Sequence, residues 1–320
     1  MFFSVIIPVY NRPEEIRELL ESLKNQSFKQ FEVIVMDDGS VDRADEVCTA
    51  FKNDFSISYY NQPNQGQGFA RNDGMRYAQG DFFVILDSDV LLPAEYLEEL
   101  KMAIQKRELD AFGGPDAAEQ SFSPIQKAMD FAMTSFWTTG GIRGKLKDPA
   151  KYQARGFNMG VSRNVFESIG GFVDPNKGED IEWSIRIKKA GFKLELVEEA
   201  FVFHKRKNTL ISFAKQAFSF GRNRVNVSRY HPDAIKKVHF LPTLFVLFCI
   251  GTSVSGLLGL SVFPFQLSIL ILWSLAVVVD SSIKYRSIII GIYSLITSFT
   301  QLFSYGTGLV YELIRKQVKG

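Results

Sequence analysis

The chain reads as an α/β domain with a mostly parallel central sheet, followed by an α-helical membrane region. Three observations predict this. Apolar strand-like runs alternate with helical periods from residue 3 to residue 107. Two of those runs end in acidic clusters. Beyond about residue 230, charge nearly vanishes from long stretches. The expected domains are therefore 1–230 and 231–320, one domain of ordinary size with a smaller appendage. Charge divides the chain in the same sense: residues 1–204 carry 23 Lys and Arg against 32 Asp and Glu, residues 205–320 carry 14 against 3. The two ends meet different surroundings.

Phe3–Ile7 is a β-branched run suited to a buried parallel strand. Asn11 is placed to cap a helix that starts with Pro13, with Glu14 and Glu15 complementing its dipole. Ile16, Leu19, Leu20 and Leu23 then form the stripe that packs on a sheet. Phe31–Met36 is a second strand ending in Asp37-Asp38-Gly39-Ser40, and Ile57–Tyr60 a third. A helix over Gly68–Ala78 leads to a strand over Phe82–Leu86, which ends in Asp87-Ser88-Asp89. A further helix covers Pro93–Arg107. Repeated strand–helix units imply right-handed crossovers, with ligands beyond the carboxyl ends of the strands. Both acidic clusters stand at that edge.

Asp87 and Asp89, one residue apart at a strand exit, can offer oxygens to a hard divalent cation and leave room for phosphate oxygens. A solvated acidic loop is the bland alternative, as is a simple turn for Asp37-Asp38-Gly39-Ser40. Two such clusters on one sheet edge favour a site. Glu179 and Asp180 open a helix over Asp180–Lys189, where acidic residues also serve as plain capping. Adjacent carboxylates raise one of the two pKa values. Leu194–Phe203 is strand-like and Leu210–Val227 helical.

Ser4-Val-Ile-Ile-Pro-Val-Tyr-Asn11, Asp37-Asp-Gly-Ser40, Arg71-Asn72 and Leu86-Asp-Ser-Asp89 follow one another in the order found in family-2 glycosyltransferases of the GT-A fold. The series continues through Gly170-Gly-Phe172, Gly178-Glu-Asp180 and Ala190-Gly-Phe192 to His204. The resemblance covers about residues 3–225. It implies an inverting transfer of sugar from a nucleotide sugar, with Asp180 as general base. It implies that Pro8, Tyr10, Asp38, Arg71 and Asp87 hold the donor, aided by cations such as Arg206 and Arg222. Asp89 and His204 would ligate Mg²⁺ or Mn²⁺. Glu179, Trp183 and Asn158 are candidates for the acceptor side, although Trp183 equally suits helix packing. The Gln-x-x-Arg-Trp signature of processive synthases is missing: Gln216 is followed by Ala-Phe-Ser-Phe-Gly-Arg. That departure favours transfer of a single sugar.

Nine Lys and Arg lie between Lys205 and Lys237 with only Asp233 opposing them. Directly before an apolar stretch, such a run fits anionic lipid or a diphosphate, and nucleic acid is not expected. Phe240–Phe263 is uncharged and spans about 36 Å as a helix, enough for the ~30 Å hydrocarbon core. Phe265–Val279 and Ser287–Tyr311 are further uncharged runs. Basic flanks at Lys236-Lys237, Lys284 with Arg286, and Arg315-Lys316 all call for the inner side, which three full spans cannot satisfy. The third run either breaks the rule or is re-entrant or interfacial. Cys48 and Cys249 suggest no disulfide framework, and residues 1–9 lack the basic start of a signal peptide. The expected setting is a membrane of the bacterial inner type, with the α/β domain in the cytosol and a lipid-linked or glycan acceptor. Transfer to polyprenyl phosphate itself, or an inactive nucleotide-binding subunit, are the alternatives.

Overall fold

A computed structural model describes residues 1–117, 122–140, 152–174, 177–204 and 209–319. The chain forms two compact units, Met1–Glu119 with Asp148–Lys205, and Gln120–Lys147 with Arg206–Gly320. The division falls at Lys205, earlier than 230, because the helix following it packs with the C-terminal helices. Residues 122–140 also belong to the helical unit.

The first unit opens with β1 (Phe3–Val9), α1 (Pro13–Lys24), β2 (Phe31–Asp37), α2 (Asp45–Ala50), β3 (Ser56–Asn61), α3 (Gln67–Tyr77) and β4 (Phe82–Leu86). There follow β5 (Val90–Leu91), α4 (Tyr96–Arg107), β6 (Ala111–Gly113) and β7 (Asp116–Ala117). From the second unit, α5 (Pro124–Thr134) and α6 (Phe136–Thr139) come next in the chain. The first unit resumes with β8 (Asn158–Ser162), α7 (Arg163–Ile169), α8 (Glu179–Lys189), β9 (Leu194–Leu196) and β10 (Val202–His204). Seven strands form one sheet in the order β3-β2-β1-β4-β8-β6-β9, parallel except for β8. A small second sheet has the order β5-β10-β7.

The central strands β1, β2 and β4 are buried along their length and mostly apolar because both faces are covered, and the buried Ser4 hydroxyl donates to Glu32 on the next strand at 2.6 Å. Val5 and Ile7 of β1 join the core under α1 and α4, while Ile6 joins the core under α3, α7 and α8. The Ile16, Leu19, Leu20 and Leu23 stripe of α1 is fully buried, as its spacing predicts. Asn11, however, does not cap α1. It adopts φ 52°, and its side-chain oxygen accepts from the backbone N–H groups of Val41 and Asp42 at 2.8 and 3.1 Å. A short polar side chain tolerates this left-handed backbone and ties two loops at the sheet edge. The expected Leu194–Phe203 strand divides into β9 and β10, which pair in different sheets.

The second unit adds α9 (Leu210–Val227), α10 (Leu241–Leu257), α11 (Phe263–Tyr285) and α12 (Ile288–Lys319). Helix α11 runs well past the apolar stretch that ends at Val279. Its last turn is held by α5, where Asp130 accepts from the Tyr285 hydroxyl at 2.9 Å and pairs with Lys284 at 3.6 Å. Among the described residues, three helical segments are long and apolar enough to cross a membrane: Lys237–Leu257, Phe263–Tyr285 and Ile288–Val318. Both cysteines are free, and burial pushes the Cys48 thiol up to about 12, so it stays protonated and inert.

Candidate active site

The carboxyl ends of β1, β2 and β4 deliver Tyr10, Asp37-Asp38 and Asp87-Ser88-Asp89 to one edge of the sheet. Pro8, opposite Met36 on β2, belongs to the strand that leads there, and Tyr10 beyond it is half exposed. Asp37 is buried; Oδ1 accepts from the Ser40 N–H at 2.7 Å and Oδ2 from the Tyr59 hydroxyl. Burial and Asp37 together push the Tyr59 hydroxyl up to about 12, so it remains a donor. Asp38 accepts from Gln62 Nε2 and Gln65 N–H through Oδ1, and from Gly66 N–H through Oδ2 at 2.8 Å. Its carboxylate thereby shapes the loop that starts α3.

Arg71 on α3 is the centre of the arrangement. Only 1 % exposed, its guanidinium donates to Asp87 Oδ1 at 2.6 Å and lies 3.5 Å from Glu179 Oε1. The Phe172 ring stacks 5.4 Å away, and a side chain at Gly156 would collide with the guanidinium. The resemblance has Arg71 facing the nucleotide; in the structure its partners are carboxylates. Gln67, one helical turn earlier, donates to Glu179 Oε1 at 2.9 Å.

Glu179 and Asp180 begin α8 after Gly178, whose φ of 82° is the left-handed conformation that glycine adopts without strain. The two carboxylates divide sharply. Glu179 is buried, and burial, followed by the neighbouring Asp180 charge, holds it above the ordinary carboxylate range against the pull of Arg71 and Gln67. Asp180 keeps partial exposure, with Oδ1 accepting from the Ile181 N–H at 2.8 Å and Oδ2 from the Gly156 N–H at 3.3 Å. Of the pair, Asp180 is the more accessible.

Asp89 pairs with Arg12 at 3.0 Å, a partner that sequence reasoning missed. Its signal is the Asn11-Arg12-Pro13 turn, which leaves β1 at the edge where the acidic clusters collect. The backbone of His204, which alone of that residue is described, stands opposite Val90 in the β5–β10 pair, one residue along from Asp89. The carboxylates at this edge offer oxygen ligands of the kind a hard divalent cation takes together with phosphate oxygens. Among the described residues no three His, Cys, Asp or Glu side chains are gathered to hold a metal ion by themselves.

Asn158 and Trp183 offer no surface to an acceptor. Asn158 is fully buried, accepting from the Tyr96 hydroxyl at 2.6 Å and donating to the Ala200 carbonyl at 2.9 Å. Trp183 is fully buried against Phe172, its indole N–H donating to the Gly170 carbonyl at 2.9 Å. Both are struts beneath the site. Arg222 belongs to the helical unit, where its guanidinium pairs with Glu312 at 2.9 Å, and Arg206 lies outside the described residues.

A mostly parallel sheet with these clusters at its carboxyl edge defines an α/β transferase of the GT-A type. The family model described as glycosyl transferase family 2 matches residues 4–170, and the chain belongs to that family. Glycosyltransferase GlyG of Streptococcus pneumoniae is 33 % identical over 70 % of this chain and 77 % of its own. Glycosyltransferase AglE of Haloferax volcanii is 27 % identical over 75 % of this chain and 78 % of its own. Other relatives are matched only in part: the chain spans 16 % of GlyA from Streptococcus pneumoniae, at 36 % identity over 33 % of this chain. Among solved structures, the mannosyltransferase PcManGT of Pyrobaculum calidifontis, in complex with GDP-Man and Mn²⁺, shares the fold. Its TM-score is 0.71 at 16 % identity, over 97 % of this chain and 87 % of that one. S. aureus TarS 1–349 in complex with UDP gives 0.53 at 19 % identity, over 99 % and 92 %.

Proposed function

We propose that this glycosyltransferase moves a single sugar, with inversion, from a nucleotide sugar to a lipid-linked or glycan acceptor at the cytosolic face of a membrane. The observation that carries the reading is the Arg71 bridge, by which one buried guanidinium holds Asp87 at the end of β4 and Glu179 beside Asp180. It fixes a donor-side carboxylate and the neighbour of the reactive one in the same small volume. Asp180, the less buried member of its pair, takes the proton of the acceptor hydroxyl as that oxygen attacks the anomeric carbon. The bond to the nucleoside diphosphate breaks on the opposite side, so the configuration inverts. Asp89, with Asp87 and His204, would hold Mg²⁺ or Mn²⁺ on the diphosphate. A bound cation supplies Lewis-acid stabilisation of the leaving group.

Asp38 acts one step back by holding the 62–66 loop beside the β2 edge where Tyr10 and Pro8 approach the base and ribose. The three helices long and apolar enough to cross a membrane support a membrane-bound enzyme, and with it a lipid-linked acceptor. The ligands printed for the solved relatives, GDP-Man with Mn²⁺ and UDP, support a nucleotide-sugar donor and a divalent cation.

The test uses the full chain in detergent with a panel of nucleotide sugars, with and without Mg²⁺ or Mn²⁺. Cation-dependent release of nucleoside diphosphate, increased by a lipid-linked or glycan acceptor, is expected. Release that ignores chelation, or survives in Asp180→Asn, would overturn the assigned roles.

A further inference from the structure

Helix α12 is inside out by the standard of a helix in water. Its buried side holds Ser294, Thr297, Ser298, Gln301 and Glu312 beside only three large apolar residues, Ile290, Leu302 and Leu309. Its exposed side carries Ile289, Ile292, Ile296, Val310, Ile314 and Val318. Water favours the reverse. The polar side is matched by neighbouring helices: Thr297 Oγ1 donates to the Ala128 carbonyl of α5 at 2.8 Å, and Glu312 accepts from Arg222 and Arg229 at 2.9 and 3.3 Å. Gly221 of α9 lies directly under the Tyr305 carbonyl, and Gly308 under that of Phe218, so the two helices meet without intervening side chains.

The path of α12 over the α10–α11 hairpin decides how it can meet a bilayer. Its first turns rest on the end of α11, with Gly291 against Ser282 and Val278. By Gly306 it has reached the first turn of α10, where Thr243 Oγ1 donates to the Gly306 carbonyl at 3.1 Å and Pro242 is in contact. The end of α11 and the start of α10 are the same end of the hairpin, because residues 258–262 join the helices at the other. A third span would, over the about 27 Å from Ile288 to Gly306, have travelled to that far end. Helix α12 instead returns to the end it left. It also carries α5, with Lys127 and Asp130, and α9, with Lys215, Arg222 and Arg224, along its polar side. Charged side chains on helices so placed exclude hydrocarbon from that side.

We infer that α10 and α11 form a two-span hairpin, while α12 lies in the plane of the membrane with its Ile and Val stripe sunk at the headgroup boundary of an anionic bilayer. Interfacial helices of this kind bury one apolar face and keep basic residues at the headgroups. Lys236-Lys237, Lys284 with Arg286, and Arg315-Lys316 then all lie on one side, as the positive-inside rule requires. The inference rests on the membrane reading of α10 and α11 and is independent of the sugar chemistry.

Cysteine accessibility in the full chain, expressed in a bacterial host, tests this. In a Cys48→Ser, Cys249→Ser background, single substitutions Met102→Cys, Leu258→Cys and Val318→Cys occupy exposed positions. A membrane-impermeant maleimide should label Met102→Cys and Val318→Cys only in inverted vesicles, and Leu258→Cys only in whole cells. Labelling of Val318→Cys together with Leu258→Cys means three spans and overturns the inference. If alkaline carbonate extracts the chain and all three sites label from one side, the hairpin is not inserted, and the membrane reading falls while the transferase reading stands. Thiol labelling in detergent and a normal melt show that each variant is folded. An alkaline phosphatase fused after Gly320 should be inactive and a fluorescent protein there bright; an active phosphatase overturns the inference without any substitution.

Discussion

Arg71 and Asp87 are joined by a 2.6 Å ion pair in which the guanidinium is 1 % exposed and the carboxylate 28 %. The charge buried on α3 is thus tied to the carboxylate at the end of β4, while its other side faces Glu179. Removing one partner of a buried pair leaves the other charge uncompensated, at a cost of about 3–5 kcal/mol. Arg71→Met should therefore lower the melting temperature of the full chain by roughly 10 °C. Arg71→Lys should recover only part, since an ammonium cannot reach both carboxylates in the same fork. A wild-type melt for Arg71→Met would show that the bridge contributes nothing to stability.

Asp180→Asn should reduce turnover by about 10²–10⁴-fold while donor affinity changes little. The amide retains the size of the side chain and can still accept from the Ile181 N–H. Donor titration and initial rates on one preparation separate the cases: equal loss of affinity and turnover would move Asp180 to the donor site.

Glu179→Gln should make stability less sensitive to pH. Glu179 is held above its ordinary value by burial and by Asp180, so its folded pKa exceeds the unfolded one. The favourable contribution is complete below the unfolded carboxylate range and is lost as pH rises through the folded value. The variant should match the wild type in acid and melt higher than it at neutral and alkaline pH. A variant that melts lower at every pH would show that the pairing with Arg71 outweighs desolvation.

Arg12→Ala should tighten divalent-cation binding, because the guanidinium 3.0 Å from Asp89 competes for the same carboxylate. Titration calorimetry with Mn²⁺ and nucleoside diphosphate should show a severalfold gain for Arg12→Ala and loss of cation dependence for Asp89→Ala. Weaker cation binding in Arg12→Ala would instead make the arginine a support for Asp89.

Strands β1, β2 and β4 were legible because they are buried on both faces and rich in apolar residues, most clearly in Phe82–Leu86, while the edge strand β3 is more exposed and showed only as a short β-prone run. The acidic clusters were legible for a related reason: they interrupt those runs at the edge where parallel strands end. Strands β6 and β7 were not, since they are three and two residues long, and β8 breaks its apolar run with Asn158 and Gly160; helix α5 did carry a local signal, the Ser123–Gln126 capping box. Arg12 was hidden in a turn whose only local message was the start of a helix.

By itself the amino-acid sequence determined the family, the alternating α/β order, the acidic sheet edge and the three apolar helices, all of which depend on local composition and period. Only the tertiary structure decided that Glu179 is buried while Asp180 keeps partial exposure, that Arg71 turns to Asp87 and Glu179, and that Asn158 and Trp183 are struts. It also decided that α12 buries a row of polar side chains, although its sequence reads as one more apolar helix. Burial, ion pairing and helix facing are set by residues far apart in the chain, such as Arg71 with Glu179 and Arg222 with Glu312. Local period cannot encode such partners, because the energy of each depends on the low-dielectric surroundings that the other helps to build.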